Sequence, residues 1–406
     1  MNKNKIINDP VYGFVTIPGT LIYELIEHPF FQRLRRIKQL GMSEYVYPGA
    51  THSRFHHALG AMHLMVQAVQ TLRSKDVKIT DKEAEALYTG ILLHDIGHGP
   101  YSHSLEHSLI RHVAHENISL VMMEKLNAEF GGRLDLAIRI FKGEYHKTFL
   151  HSLISGQLDM DRLDYLGRDS FYTGVSEGVV GSERIISMLN VKDDKLVVEQ
   201  KGIYSVEKFI IARRLMYWQV YLHKTVVAAD ILLTNTMKRA SELANAGVSL
   251  FATPSLEYFL ENHVTEQMFR NDPQVLQKFV QLDDSDIISA IKTWQNSHDK
   301  VLSLLARNLV NRRLPKILLS DKAFSGEELR EKQEQVNAVF QLKSGESAYF
   351  ATTNMIKNDA YQVEKSPGIK ILMKSGEVLD VTDASDNYNL KALKQTVKKY
   401  YLSFYR

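Results

Sequence analysis

A helical run of apolar residues that stops on a histidine–aspartate pair is the strongest constraint in this chain. The run Leu92-Leu93-His94-Asp95-Ile96-Gly97-His98-Gly99 follows a helix start at Thr80 or Asp81. Gly97, Gly99 and Pro100 forbid its continuation as helix. The pair therefore lies at a helix end that opens into a loop, where side chains from several elements can converge. Ten of the 16 histidines fall between His52 and His115. Imidazole and carboxylate are preferred ligands of a catalytic divalent metal. The run points to metal-assisted hydrolysis, with a phosphate ester as the target.

Composition narrows the choice. The 406 residues suffice for two or three domains. There are no cysteines, which excludes thiolate ligands, disulfides and a cysteine nucleophile. Any metal site must use His, Asp and Glu. A formal charge of +3 is too small for a generic nucleic-acid binder, and nucleic acid is not indicated as a partner. Met1-Asn-Lys-Asn-Lys5 is polar and precedes no signal-type apolar run, and no window is long and apolar enough to span a bilayer. The expectation is a soluble cytoplasmic protein with no membrane partner.

The expected fold is mainly α: a helical bundle with additional helices and a small α+β C-terminal region. Residues 1–20 read as extended and turn-rich. Phe31, Leu34, Ile37 and Leu40 recur at helical spacing before the stop at Gly41. A helix is expected from Ser53 to Arg73, and a hairpin over 191–204. Helices resume from Val206 to Asn245 and in patches to Val310. From Glu334 the pattern alternates like strands, in Val336–Leu342 and in Gly368–Leu379. The tail from Asn389 reads as a helix. The expected divisions are residues 1–245 for the catalytic core, with the metal site in 50–170, then 246–330 for a helical extension and 331–406 for the C-terminal region.

Three segments offer ligands. His56-His57 lies on one helix, His94-Asp95 ends the next, and Asp159-Met-Asp161-Arg-Leu-Asp164-Tyr165 follows a third. Adjacent His56 and His57 cannot both face one point on a helix. Taken singly, such polar residues are usually exposed surface. Taken together, two His and two Asp from three helices form a mixed nitrogen–oxygen site with positions left for water and substrate.

These residues resemble the HD-domain superfamily, whose pattern is His…His-Asp…Asp. The chain is most similar to its deoxynucleoside triphosphate (dNTP) triphosphohydrolases, which include bacterial enzymes and the vertebrate SAM-and-HD-domain enzyme. The resemblance rests on Ile7-Asn-Asp-Pro-Val-Tyr-Gly13, Phe31-Gln-Arg-Leu-Arg-Arg-Ile-Lys-Gln-Leu-Gly41, Tyr47-Pro-Gly-Ala-Thr-His-Ser-Arg-Phe-His-His57, the His94–His103 run and Asp159-Met-Asp-Arg-Leu-Asp-Tyr-Leu-Gly-Arg-Asp169. It covers about residues 5–245, with a fainter continuation to about 320.

The resemblance implies metal ligands His57, His94, Asp95 and Asp161, holding Mn, Mg, Fe, Zn, Co or Ni. It implies catalytic roles for His98, His103, Glu106 and His115, with His103 favoured as general acid and His115 next. Arg54, Arg162, Tyr165 and Arg213 would hold a triphosphate. Gln39, Leu40 and Asp169 would read the sugar, with Tyr221 beside the substrate. The implied reaction is attack on the α-phosphorus by a water acidified at the metal, giving deoxynucleoside and tripolyphosphate.

It further implies a homo-oligomer, dimer or tetramer, switched on by a nucleotide held by Lys5, Asn8, Glu27, Gln32, Arg35, His223 and Lys224. Arg312 and Lys316 match less surely and read as surface charge. The chain departs from the family pattern at His56, where a Glu is usual, at Arg162 for Lys, at Leu222 for Gln and at Glu27 for Asp; the SAM domain is absent. Two other readings compete. One is an HD-type nucleotidase or phosphodiesterase acting on another phosphorylated metabolite. The other is a nucleotide-sensing module with a vestigial site.

Overall fold

The structure is a computed structural model. It describes the chain except residues 1–4, 102, 107–108, 111–112, 359–360, 362–367, 388–389, 391–395 and 406, and the side chains of His103 and Glu106. It is mainly α-helical, as expected.

Strands β1 (Ile6–Asp9) and β2 (Gly13–Thr16) pair as an antiparallel hairpin, with α1 (Thr20–Glu27) and α2 (Pro29–Gln32) behind it. The helix expected from Phe31 to Leu40 breaks early. Arg33–Arg36 takes 3-10 form, Ile37 is extended, and Lys38 bridges to Ser53. Distant partners override the local period here. The Asp284 carboxylate accepts from the Lys38 amide at 2.9 Å, and the Ile37 carbonyl accepts from the Arg54 amide at 2.9 Å.

Helices α3 (Arg54–Ser74) and α4 (Asp81–Leu93) follow. Thr80 caps α4 reciprocally with Glu83: the Glu83 amide donates to the Thr80 hydroxyl, and the Glu83 carboxylate accepts from the Thr80 amide. After α5 (His103–Glu106), α6 (His115–Glu129), α7 (Asp135–Phe141) and α8 (Thr148–Ile154) comes α9 (Met160–Thr173). Helix α3 packs on both α4 and α9. Phe55, Leu59 and Met62 of α3, Leu92 of α4 and Leu163 of α9 are buried. Each such side chain contributes about 1.5–3 kcal/mol on burial. The three ligand-bearing segments thus sit on one packed core.

Then come α10 (Ser182–Ser187), β3 (Leu189–Lys192) and β4 (Lys195–Glu199). They are followed by α11 (Ile203–Met216), a π-turn at Tyr217–Tyr221 and α12 (Lys224–Asn245). Five helices, α13 (Pro254–Glu261), α14 (Glu266–Asn271), α15 (Pro273–Gln281), α16 (Asp284–Trp294) and α17 (Lys300–Val310), form the extension. The rest is β5 (Lys316–Ser320), α18 (Gly326–Phe340), β6 (Thr352–Asn358), β7 (Lys370–Leu372), β8 (Val378–Asp380), α19 (Val381–Ala384) and β9 (Val397–Phe404). One sheet has the order β3-β4-β7-β8 and another β5-β9-β6. Strands from beyond residue 331 therefore complete sheets begun at residues 189 and 316.

Two expectations for this region fail. Val336–Phe340 is helical, because Ser325 and Glu328 form a capping box that starts α18 upstream of the apolar run. The tail is a strand over Val397–Phe404, because β5 and β6 pair with it on both edges. Among the described residues no helix is long and apolar enough to cross a membrane.

Candidate metal centre

Three helices bring the ligand atoms together. His57 lies in the first turn of α3 and is fully buried; His94 is the C-cap of α4; Asp161 lies in the first turn of α9. Their ligand atoms lie within 4.8 Å of one another. His57 Nε2 is 3.4 Å from His94 Nε2 and 3.1 Å from an Asp161 oxygen, which is 3.5 Å from His94 Nε2. Asp95 joins the group, 3.3 Å from His94 Nε2 and 3.8 Å from His57 Nε2. Asp161 is 26% exposed while His57 is 0%, so solvent reaches the cluster from the Asp161 side.

Both imidazoles are aimed by hydrogen bonds from Nδ1. His94 Nδ1–H donates to the Ile91 carbonyl at 2.6 Å, and His57 Nδ1–H donates to the Asp164 carboxylate at 2.8 Å. A carbonyl can only accept, so His94 carries its proton on Nδ1 and turns Nε2 inward. Two imidazoles and two carboxylates with converging atoms fit a divalent cation of the Mn, Fe, Co, Ni, Zn or Mg type.

The electrostatics agree. Burial alone would lower the His57 pKa, but hydrogen bonds to Asp161 and Asp164 outweigh it and raise the value to about 10. His94 is also raised: burial is outweighed by Asp95 and Asp161. Burial would push Asp161 up, yet its hydrogen bonds with His57 and His94 hold it far below the usual carboxylate range. Without metal, protons occupy the place of the cation. Metal must displace them, so apparent affinity is expected to rise as pH climbs toward the His57 value, with protons released on binding. Calorimetric Mn2+ titrations in buffers of different ionisation enthalpy check this; an affinity independent of pH contradicts it.

The loop after His94 is clamped on two sides. Ser119 donates to the His94 carbonyl at 2.8 Å and accepts from the Gly97 amide at 2.9 Å. A Cβ on Gly97 would lie 2.3 Å from both the His115 carbonyl oxygen and the Ser119 amide, so only glycine permits this approach. On the other side the buried Arg33 guanidinium donates to the carbonyls of Ile96 and His98, at 3.1 and 2.6 Å. Burial lowers the Arg33 pKa to about 9.

Asp95, His98 and His115 form a second convergent group, with the His98 and His115 rings stacked 3.7 Å apart. Burial, then the Arg54 charge, pushes the His98 pKa well below its ordinary value, so His98 is neutral. Arg54 pairs with Asp95. The side chains of His103 and Glu106 lie outside the described residues.

Arg162 pairs with Asp159, the N-cap of α9, and Arg213 donates to Gln157 at 3.2 Å. Tyr165 feels the charges of Arg213, Arg162 and Asp161, and burial raises its pKa strongly. Asp169 accepts from Tyr221 at 2.8 Å and meets His52 Nε2 at 2.7 Å. Gln39 donates its amide to the His52 carbonyl at 2.9 Å, and Leu40 is half-buried against the core. The Nε atoms of Arg162 and Arg213 and the Oε1 of Gln39 are buried without a hydrogen-bond partner among the described residues. Such orphans are costly and mark places for a polar ligand.

The residues expected to hold a regulatory nucleotide fall in two places. Lys5 lies over the Tyr23 ring, Asn8 lies in β1, Glu27 ends α1, and Arg35 donates to Gln32 at 2.8 Å. His223 caps α12 by accepting from the Thr225 amide, with Lys224 next to it. The described hydrogen bonds and ring contacts of one chain do not join the two sets.

Residues that sequence reasoning passed over include His52, Asp9, Gly60 and Arg168. Arg168 had a signal: it stands four residues after Asp164 and pairs with it along α9, at 2.9 Å. Asp9 stood in the Ile7–Gly13 motif, but nothing local pointed to its partner Arg168, which is 159 residues away.

Residues 54–168 match the HD domain family and residues 180–252 the HD associated region. The uncharacterized protein YwfO of Bacillus subtilis is 36% identical over 325 residues, spanning 77% of this chain and 72% of that protein. The Dictyostelium discoideum protein named deoxynucleoside triphosphate triphosphohydrolase SAMHD1 homolog is 27% identical over 335 residues, 78% of this chain and 60% of its own length. A crystal structure of a phosphohydrolase from Bacteroides thetaiotaomicron superposes with a TM-score of 0.96 at 52% identity, covering 100% of both chains. On these matches and the His57, His94, Asp95 and Asp161 cluster, the chain belongs to the HD-domain phosphohydrolase family.

Proposed function

We propose that this protein hydrolyses deoxynucleoside triphosphates to deoxynucleoside and tripolyphosphate. The observation that carries the reading is the convergence of His57, His94 and Asp161, with Asp95 beside them paired to Arg54, together with Arg162 and Arg213, whose buried Nε atoms have no hydrogen-bond partner among the described residues. The similarity to the Dictyostelium protein named for this activity supports the substrate class.

His57, His94, Asp95 and Asp161 hold a divalent cation, which when bound acidifies water and polarises a phosphoryl oxygen. Arg54, Arg162 and Arg213 supply fixed donor forks for phosphoryl oxygens. Tyr165 packs beside the sugar, and Leu40 crowds a ribose 2′-hydroxyl. Gln39, Asp169 and Tyr221 offer hydrogen bonds to the nucleoside. Neutral His98 donates a hydrogen bond to the phosphate. His103 protonates the leaving 5′-oxygen, oriented by Glu106, with His115 as the second candidate. Lys5, Asn8, Glu27, Gln32 and Arg35 from one copy and His223 and Lys224 from another hold an activating nucleotide, in a closed homo-oligomer.

The test is a product assay across the four dNTPs, alone and in pairs, with Mn2+ or Mg2+. The expected products are deoxynucleoside and tripolyphosphate, with pairs faster than single substrates. Intact dNTPs under every metal and pairing overturn the reading. Release of single phosphates instead points to a nucleotidase.

A further inference from the structure

The N-terminal hairpin reaches the back of the metal cluster. Asp9 closes the turn after β1, where its Oδ1 accepts from the amides of Val11 and Tyr12 at 2.9 and 3.0 Å. Its other oxygen, Oδ2, accepts from Arg168 at 2.8 Å. Arg168 is fully buried and grips Asp164 with a second fork, Nε to Oδ2 at 2.9 Å and a terminal nitrogen to Oδ1 at 3.0 Å. Asp164, also fully buried, accepts from His57 Nδ1 at 2.8 Å. The Arg168 guanidinium lies 5.5 Å from the Tyr12 ring. Gly60, one turn after His57, leaves the space for this pair: a Cβ there would lie 2.0 Å from Asp164 Oδ1 and 2.1 Å from the Arg168 guanidinium.

We propose that Asp9 of the N-terminal hairpin is a positioning residue for the metal ligand His57, acting through Arg168 and Asp164. This rests on the metal part of the function proposed above, not on its substrate.

Asp164 shares its charge between two partners. A carboxylate that accepts from the far nitrogen of a ligating imidazole fixes the ring and makes its other nitrogen a better donor. Asp164 has that position. Its negative charge is divided between His57 and Arg168. Asp9 takes up the other side of the Arg168 guanidinium, which leaves more of the Asp164 charge for His57. With the charge of Asp9 removed, Arg168 draws Asp164 toward itself, and His57 becomes a weaker and looser ligand. In a dry interior such couplings are weakly screened. The chain of contacts also gives a role to Asp9, which the proposed chemistry does not otherwise use.

The experiment measures Mn2+ affinity of the full-length, metal-depleted protein by the electron paramagnetic resonance signal of free Mn2+. Asp9→Asn is the informative variant, because the amide oxygen of Asn still accepts the two turn bonds while the charge is lost. The expected result is about tenfold weaker Mn2+ binding, at the lower edge of what loss of such outer partners costs. Thermal unfolding of the metal-free variant reports whether it is folded. A folded Asp9→Asn that binds Mn2+ like the wild type overturns the proposal. If Asp9→Asn does not fold, Asp9→Ser decides, since a serine hydroxyl can accept the turn bonds and likewise lacks the charge. About tenfold weaker binding is then expected, and unchanged binding overturns the proposal. A wild type with no affinity for Mn2+ overturns the metal reading, and this one with it. A wild type that binds beside unaffected variants overturns this one alone.

Discussion

Asp161→Ala is expected to lose bound metal and to cut hydrolysis by about a thousandfold or more. Asp161 bridges the cluster, 3.1 Å from His57 Nε2 and 3.5 Å from His94 Nε2. Without it, two imidazole nitrogens 3.4 Å apart face each other with one carboxylate, Asp95, left to offset a cation. A metal's contribution to charge stabilisation is several kcal/mol, and about 4 kcal/mol corresponds to a factor of roughly a thousand in rate. Elemental analysis and single-turnover rates on the same preparation check both halves of this expectation. A variant that keeps full metal content and near-normal rate shows that Asp161 is not a ligand. The variant should remain folded, because Asp161 is the most open of the four ligands and Asp159 still caps α9.

Gly60→Ala is expected to be among the most destabilising single-methyl additions in the chain. The new Cβ would collide with Asp164 and Arg168 at 2.0 and 2.1 Å. Neither partner can swing into solvent, since both are fully buried and tied at their far ends to His57 and Asp9. Overpacking costs about 1–3 kcal/mol, and breaking a buried ion pair adds a comparable amount. A loss of about 3 kcal/mol or more lowers the unfolding temperature by roughly 5–10 °C. Gly167→Ala on α9 is the control, because nothing lies within 4 Å of its Cβ. There the gain in helix propensity leaves stability unchanged or raised by about 0.5 kcal/mol. Differential scanning calorimetry of the two variants decides. Equal unfolding temperatures would mean that the Asp164–Arg168 pair relaxes freely, contrary to its packing.

Much of the metal-bearing core was legible because its signals are local. Thr80 and Glu83 mark the start of α4 by capping chemistry, and Gly97 and Gly99 mark where it cannot continue. The separation of His56 from His57 followed from helix geometry: His57 faces the cluster while His56 accepts from the Ser53 amide at the helix start. The hairpin expected over 191–204 is present, but it runs from Leu189 to Glu199, with helix α11 already begun at Ile203. Where reading failed, a distant partner decided. The helical spacing through Leu40 gave way to Asp284 and Arg54, both remote in sequence. The tail looked helical because no local turn opposed it, yet β9 exists only because β5 and β6 flank it.

The order of residues along the polymer determined which ligand types are on offer, the helix ends on which they sit, and the mainly α class, because caps, periodicity and ligand type act over one or two turns. Only the folded chain decided how those ends meet: that Asp164 and Arg168 stand behind His57, that Arg33 and Ser119 grip the loop after His94, and that Asp9 closes the line. Those contacts join residues up to 159 positions apart. Their energy depends on burial and mutual geometry, which no local stretch of sequence encodes.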